Sequence, residues 1–88
     1  MRHEFIIKVN EKIAAMLAGN ADYIELRSGD IHSEVGGYPG ANHRMPVCCD
    51  VMYEAMRGDD EIISKPRKGK GANLYIKYYR RNHKLSSI

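Results

Sequence analysis

The spacing of apolar residues changes period near residue 60, and this constrains the fold more than any other feature of the chain. At the C-terminal end, Leu74, Ile76 and Tyr78 alternate with Tyr75, Lys77 and Tyr79. Alternation at period two marks a strand with one buried face. Glu61-Ile62-Ile63-Ser64 reads as a preceding strand, and Lys65-Pro66-Arg67-Lys68-Gly69-Lys70-Gly71 as the loop that joins them. A β-hairpin is therefore expected, with strands over 61–64 and about 72–79 and a basic loop over 65–71.

Upstream, the spacing is helical. Phe5, Ile6, Val9, Ile13, Met16 and Leu17 recur at three and four residues, which predicts a helix over 4–18 that stops at Gly19-Asn20. Tyr23-Ile24-Glu25-Leu26 reads as a short strand. Ser28 fits an N-cap, with Asp30 in the first turn of a short helix over about 29–35. Ile31 and Val35 share its buried side, and Gly36-Gly37 end it. Tyr38-Pro39-Gly40 is a turn, with Tyr38 as a packing anchor. Pro46 suits the first turn of a third helix that runs over about 46–57 and ends at Gly58. Its inward stripe is Cys48, Val51, Met52 and Ala55, extending to Met56, while Cys49, Asp50, Tyr53, Glu54 and Arg57 lie more outward.

At 88 residues the chain has room for one small core, read as a domain over 1–80 followed by a basic tail over 81–88. With 43% hydrophobic and 28% charged residues, the composition is that of a folded chain. No apolar run approaches the ~20 residues of a membrane span. Lys8, Asn10, Glu11 and Lys12 break the N-terminal apolar segment, so no secretory signal is read. Cys48 and Cys49 are adjacent and poorly placed to pair, which points to a reduced, cytoplasmic chain. Charge is sharply partitioned. Residues 1–61 hold all 11 acids against 6 Lys and Arg, a net of −5. Residues 62–88 hold 8 Lys and Arg and no acid, a net of +8. A basic end of this kind faces an anionic partner.

The order helix, strand, helix, turn, helix, strand, basic loop, strand resembles the winged helix-turn-helix superfamily over nearly the whole chain. The resemblance implies an α+β fold, winged-helix-like, with three helices, a small antiparallel sheet and a C-terminal hairpin wing. It further implies transcription regulation through double-stranded DNA, with the third helix in the major groove and the wing on the backbone. Two features depart from that pattern. The connection over 36–45 is longer than a simple helix-turn-helix turn. Asp50 and Glu54 would also face phosphate from the third helix.

Nucleic-acid contact is expected from nine residues. Lys65, Arg67, Lys68 and Lys70 would neutralise phosphates, beside glycines that let the backbone approach. Asn42, His43 and Arg44 precede the third helix, where side chains reach base edges or phosphates. Arg80 and Arg81 would extend the basic surface. Tyrosines among basic residues, as at Tyr78 and Tyr79, also suit stacking on a single strand. The alternation favours instead one tyrosine in the core and one on the sheet surface.

Other chemistries are less well matched. Cys48, Cys49, His32 and His43 are zinc-ligand types, but adjacent cysteines point about 100° apart on a helix. Cys49 with His32 or His43 would make a nucleophile and base, and His32, His43 and Asp50 a nuclease site, but no spacing fixes either geometry. Gly69-Lys70-Gly71 lacks the rest of a phosphate loop. The expectation is a binding protein without a cofactor or metal, not an enzyme. An alternative is a protein-interaction module whose basic hairpin meets an acidic partner. Phe5, Ile6 and Ile7 are consecutive, and Ile7 lies off the core stripe, which makes the first helix a candidate homodimer surface.

Overall fold

The computed structural model describes residues 2–36, 44–67 and 69–84. Helix α1 spans Arg2–Ala18, strand β1 Tyr23–Arg27, helix α2 Ser28–Val35 and helix α3 Met45–Glu54. Strands β2, Glu61–Ser64, and β3, Tyr75–Tyr79, follow, and a single 3-10 turn covers Arg80–Asn82. The sheet is antiparallel in the order β1-β3-β2, so the last strand lies between the other two. Three helices, this small sheet and the β2–β3 hairpin make a winged-helix-like α+β fold.

The core forms where the helices meet one face of the sheet. Phe5, Val9, Ile13 and Met16 bury one stripe of α1. They meet Ile31 of α2, Cys48, Val51 and Met52 of α3, and Leu26, Ile76 and Tyr78 from the sheet. The alternation read from the sequence is the one observed: Leu74, Ile76 and Tyr78 are buried, while Tyr75, Lys77 and Tyr79 are half-buried on the other face. Tyr78 is the tyrosine in the core, and its hydroxyl donates to the Met52 carbonyl at 2.7 Å. That bond removes the cost of a buried phenol oxygen.

Several expectations are corrected. Ile6 is exposed, because the buried stripe of α1 passes through Phe5 and Val9 instead. Ser28 is the first residue of α2 and not its cap; Arg27 holds the cap position, and its side chain makes no capping bond. The Ser28 hydroxyl turns to the hairpin, donating to the Gly71 carbonyl and accepting from Leu74 N. Cys49 is fully buried and not outward, because its thiol donates to the same Gly71 carbonyl at 3.3 Å. Helix α3 ends at Glu54, short of Arg57: Arg57 N donates to the Asp60 carboxylate, and its guanidinium takes the Glu54 and Met56 carbonyls. β3 begins at Tyr75, since a Gly71–Leu74 turn occupies the start of the expected strand.

Candidate nucleic-acid interface

The root of the basic loop is built from three elements. Ser28 N donates to Leu74 O at 2.9 Å and Gly29 N to Ala72 O at 3.0 Å, joining the start of α2 to the return arm of the hairpin. Gly29 permits this approach: a Cβ there would lie 3.0 Å from the Ala72 oxygen. From α3, Tyr53 donates its hydroxyl to the Gly69 carbonyl, and Asp50 pairs with Lys70 at 2.9 Å. Gly69 N closes a turn onto Pro66 O at 2.8 Å. Gly69 sits at φ +81°, a backbone region costly for any residue with a Cβ.

This root determines which charges are available. Lys65, Arg67 and Lys70 are exposed. Among the described residues, no carboxylate pairs with Lys65, Arg67 or Arg44. The Asp50 hydrogen bond and charge raise the affinity of Lys70 for its proton. Arg44 stands exposed at the cap of α3, and its backbone N–H donates to His32 Nε2 at 2.8 Å. His32 is fully buried and meets Phe5 edge-on, so it ties the start of α3 to α2 and α1. Asn42, His43 and Lys68 lie outside the described residues.

The acids that would repel phosphate from α3 are both neutralised. Asp50 faces Lys70, and Glu54 is hydrogen-bonded by the Arg2 guanidinium. Asp50 and Tyr53 are also residues whose role the sequence did not disclose, because nothing local marks an outward helical residue as the anchor of a loop 16 positions away.

Arg80 and Arg81 follow the end of β3 remote from the loop. Arg80 directs its guanidinium to the carbonyls of Met16, Leu17, Gly19 and Ala21 at the C-terminal end of α1. Arg81 pairs with Asp59, and the hydrogen bonds from Arg81 and Asn82 hold the Asp59 carboxyl down at about 2. The chain stays attached beyond them: Asn82 Nδ2 donates to Asp60, and His83 Nε2 lies 2.6 Å from the same carboxylate.

The thiols are chemically quiet. Burial, with the neighbouring Cys49, pushes Cys48 up to about 12, and burial likewise raises Cys49. Among the described residues, no cluster of His, Cys, Asp and Glu has the arrangement of a metal site. Comparison of the chain with protein-family models, curated proteins and solved structures found no match.

Proposed function

We propose that the chain binds double-stranded DNA, with the basic loop over 65–71 on phosphates and α3 entering the major groove from its Arg44 end. The observation that carries this reading is the pairing pattern. Among the described residues no carboxylate pairs with the exposed Lys65 and Arg67, while the acids of α3 are already paired. The backbone grip comes from the loop, with Lys68 and Lys70 joining Lys65 and Arg67. Base reading falls to Arg44, with Asn42 and His43 beside it. Arg80 and Arg81 contribute long-range positive charge, since both already have protein partners. Catalysis has no part in this reading, which also sets the protein among transcription regulators of the cytoplasm.

The test is fluorescence anisotropy with labelled random duplex DNA, across about 50–200 mM salt. Wild type is compared with a Lys65/Arg67/Lys68/Lys70→Ala variant. Wild-type affinity is expected to fall steeply with salt, and the slope to drop by about three in the variant. An absence of duplex binding at low salt, or an unchanged slope, rejects the reading.

A second reading has its own observation. Ile62 and Ile63 on the first strand of the hairpin are 41% and 49% exposed. Apolar residues beside a basic loop suit an acidic protein partner as well as a duplex. Salt-sensitive capture of an acidic protein, without duplex binding, would select this reading. For either partner, a second copy of the chain is proposed to join through α1, where Ile6 and Ile7 stand exposed.

A further inference from the structure

We propose that the outer face of the sheet binds unpaired bases of a single-stranded nucleic acid. This surface is separate from the loop and α3, so the inference stands independently of the duplex reading.

The face is made by alternate positions of two neighbouring strands. Tyr75, Lys77 and Tyr79 come from β3, and Tyr23, Glu25 and Arg27 from β1. The antiparallel register sets Tyr23 opposite Tyr79, Glu25 opposite Lys77 and Arg27 opposite Tyr75. Three phenol rings therefore share the face opposite the core, to which the same strands contribute Leu26, Ile76 and Tyr78. Tyr75 and Tyr79 are four residues apart, or ~13 Å along a strand. That length suits a short run of nucleotides, with one ring at the loop end and a pair at the other.

The rings are accompanied by cations. Tyr23 is 45% exposed and meets Tyr79 edge-on, with centroids 6.5 Å apart. Lys77 Nζ lies 4.0 Å from the Tyr23 ring centroid and 5.2 Å from that of Tyr79. The Arg81 guanidinium lies 4.2 Å from the Tyr79 centroid. These cations stand over ring faces, so a base stacks on the face left open or displaces the cation, whatever the sequence. A double helix hides its base faces, so such a surface selects unpaired strands.

Charge then separates this face from the basic loop. Lys77 lies between Glu25 and Glu61 across the strands, Arg27 pairs with Asp30, and Arg81 pairs with Asp59. Few cations are left to release counterions from phosphate. Affinity must come from the rings, and its dependence on salt must be shallow.

The experiment uses the full chain and a labelled oligothymidine of about 12 nucleotides, beside an abasic strand of equal length. Oligothymidine is expected to bind at least about fivefold more tightly than the abasic strand, at the value of a single stacked base. The chain has 6 Tyr and no Trp, so stacking is also read as quenching of tyrosine emission. Tyr23→Ala and Tyr79→Ala should each weaken oligothymidine by about fivefold or more, and Tyr79→Phe should retain it. Duplex affinity should not change in any of them. Equal binding of the abasic and normal strands overturns the proposal, as does unchanged affinity in folded Tyr23→Ala, or an absence of oligothymidine binding. Should Tyr79→Ala fail to fold, exposed Tyr23 and the abasic comparison on wild type decide the matter.

Discussion

Arg80 Nη1 donates to the Leu17 carbonyl oxygen at 3.0 Å, across 63 positions of sequence. The same guanidinium reaches Met16, Gly19 and Ala21. The last carbonyls of a helix have no partner within it, and they form the negative end of its dipole. The last turn of α1 holds no basic residue of its own, so Arg80 supplies one from the far end of β3. Arg80→Met should lower stability by about 2 kcal/mol, the scale of charged hydrogen bonds lost without replacement. Arg80→Lys should recover only part of it, since one ammonium cannot span four carbonyls. Thermal or urea unfolding measures both.

Asp60 predicts an acid limb of stability. Burial works against its charge, but hydrogen bonds from Asn82, Tyr79 N, Arg57 N and His83 outweigh it and hold the carboxyl below its ordinary range. Asp59 is held down to about 2. A carboxyl more acidic in the folded state stabilises above its unfolded value, about 4. That contribution is lost as pH falls through the folded value. Melting temperature should therefore decline from about pH 5 downward, and Asp60→Asn should flatten the decline while starting lower at pH 7. A variant curve parallel to wild type would contradict the assignment.

Tyr53 anchors the loop without belonging to it. Burial, with the nearby Cys49, raises its hydroxyl above the ordinary phenol range, so it remains a donor to Gly69 O at all neutral pH values. Tyr53→Phe should cost about 1 kcal/mol. Its clearer effect should be faster amide exchange at Gly69 and Gly71, with core amides such as Ile76 much less affected.

Asp50 restrains Lys70 in the absence of ligand. Asp50→Ala removes an acid from the proposed duplex face and frees a cation. Duplex affinity should rise by several-fold at low salt, and the salt slope should steepen by about one. Exposed ion pairs contribute about 0–1 kcal/mol, so stability should barely change.

Ile7 is 44% exposed on α1, and Ile6 borders a groove of about 210 Å³ between α1 and α3. If a second copy docks there, sedimentation should show a concentration-dependent dimer that Ile7→Asp abolishes. A monomer at high concentration in both forms would remove the proposed homodimer.

Much of the fold was legible because it rests on local periodicity. The alternation of Leu74, Ile76 and Tyr78 identified the buried face of β3, and the four-residue steps from Phe5 to Ile13 identified that of α1. What escaped were contacts between residues distant in sequence. Cys49 looks outward on a helical wheel, but it joins the core cluster, and the loop root meets its thiol through Gly71 O. Ser28 suits a cap by type, but its hydroxyl is engaged 43 positions away. The basic loop was visible in composition, whereas its anchors Asp50 and Tyr53 were not. Tyr75 and Tyr79 shared a face by parity alone, but the alignment of Tyr23 with them depended on strand register.

One carbonyl oxygen, that of Gly71, accepts from both Ser28 Oγ and Cys49 Sγ. The start of α2, the body of α3 and the root of the loop are thereby keyed to a single atom. These two bonds tie the spacing of α3 from the loop root to the fold itself. The pair works as a ruler whose graduations do not slide. On the proposed duplex reading, a polyanion with matching charge spacing would seat on both points at little entropic cost. One with a different repeat would have to bend to fit, and its stiffness would then become part of what the protein selects.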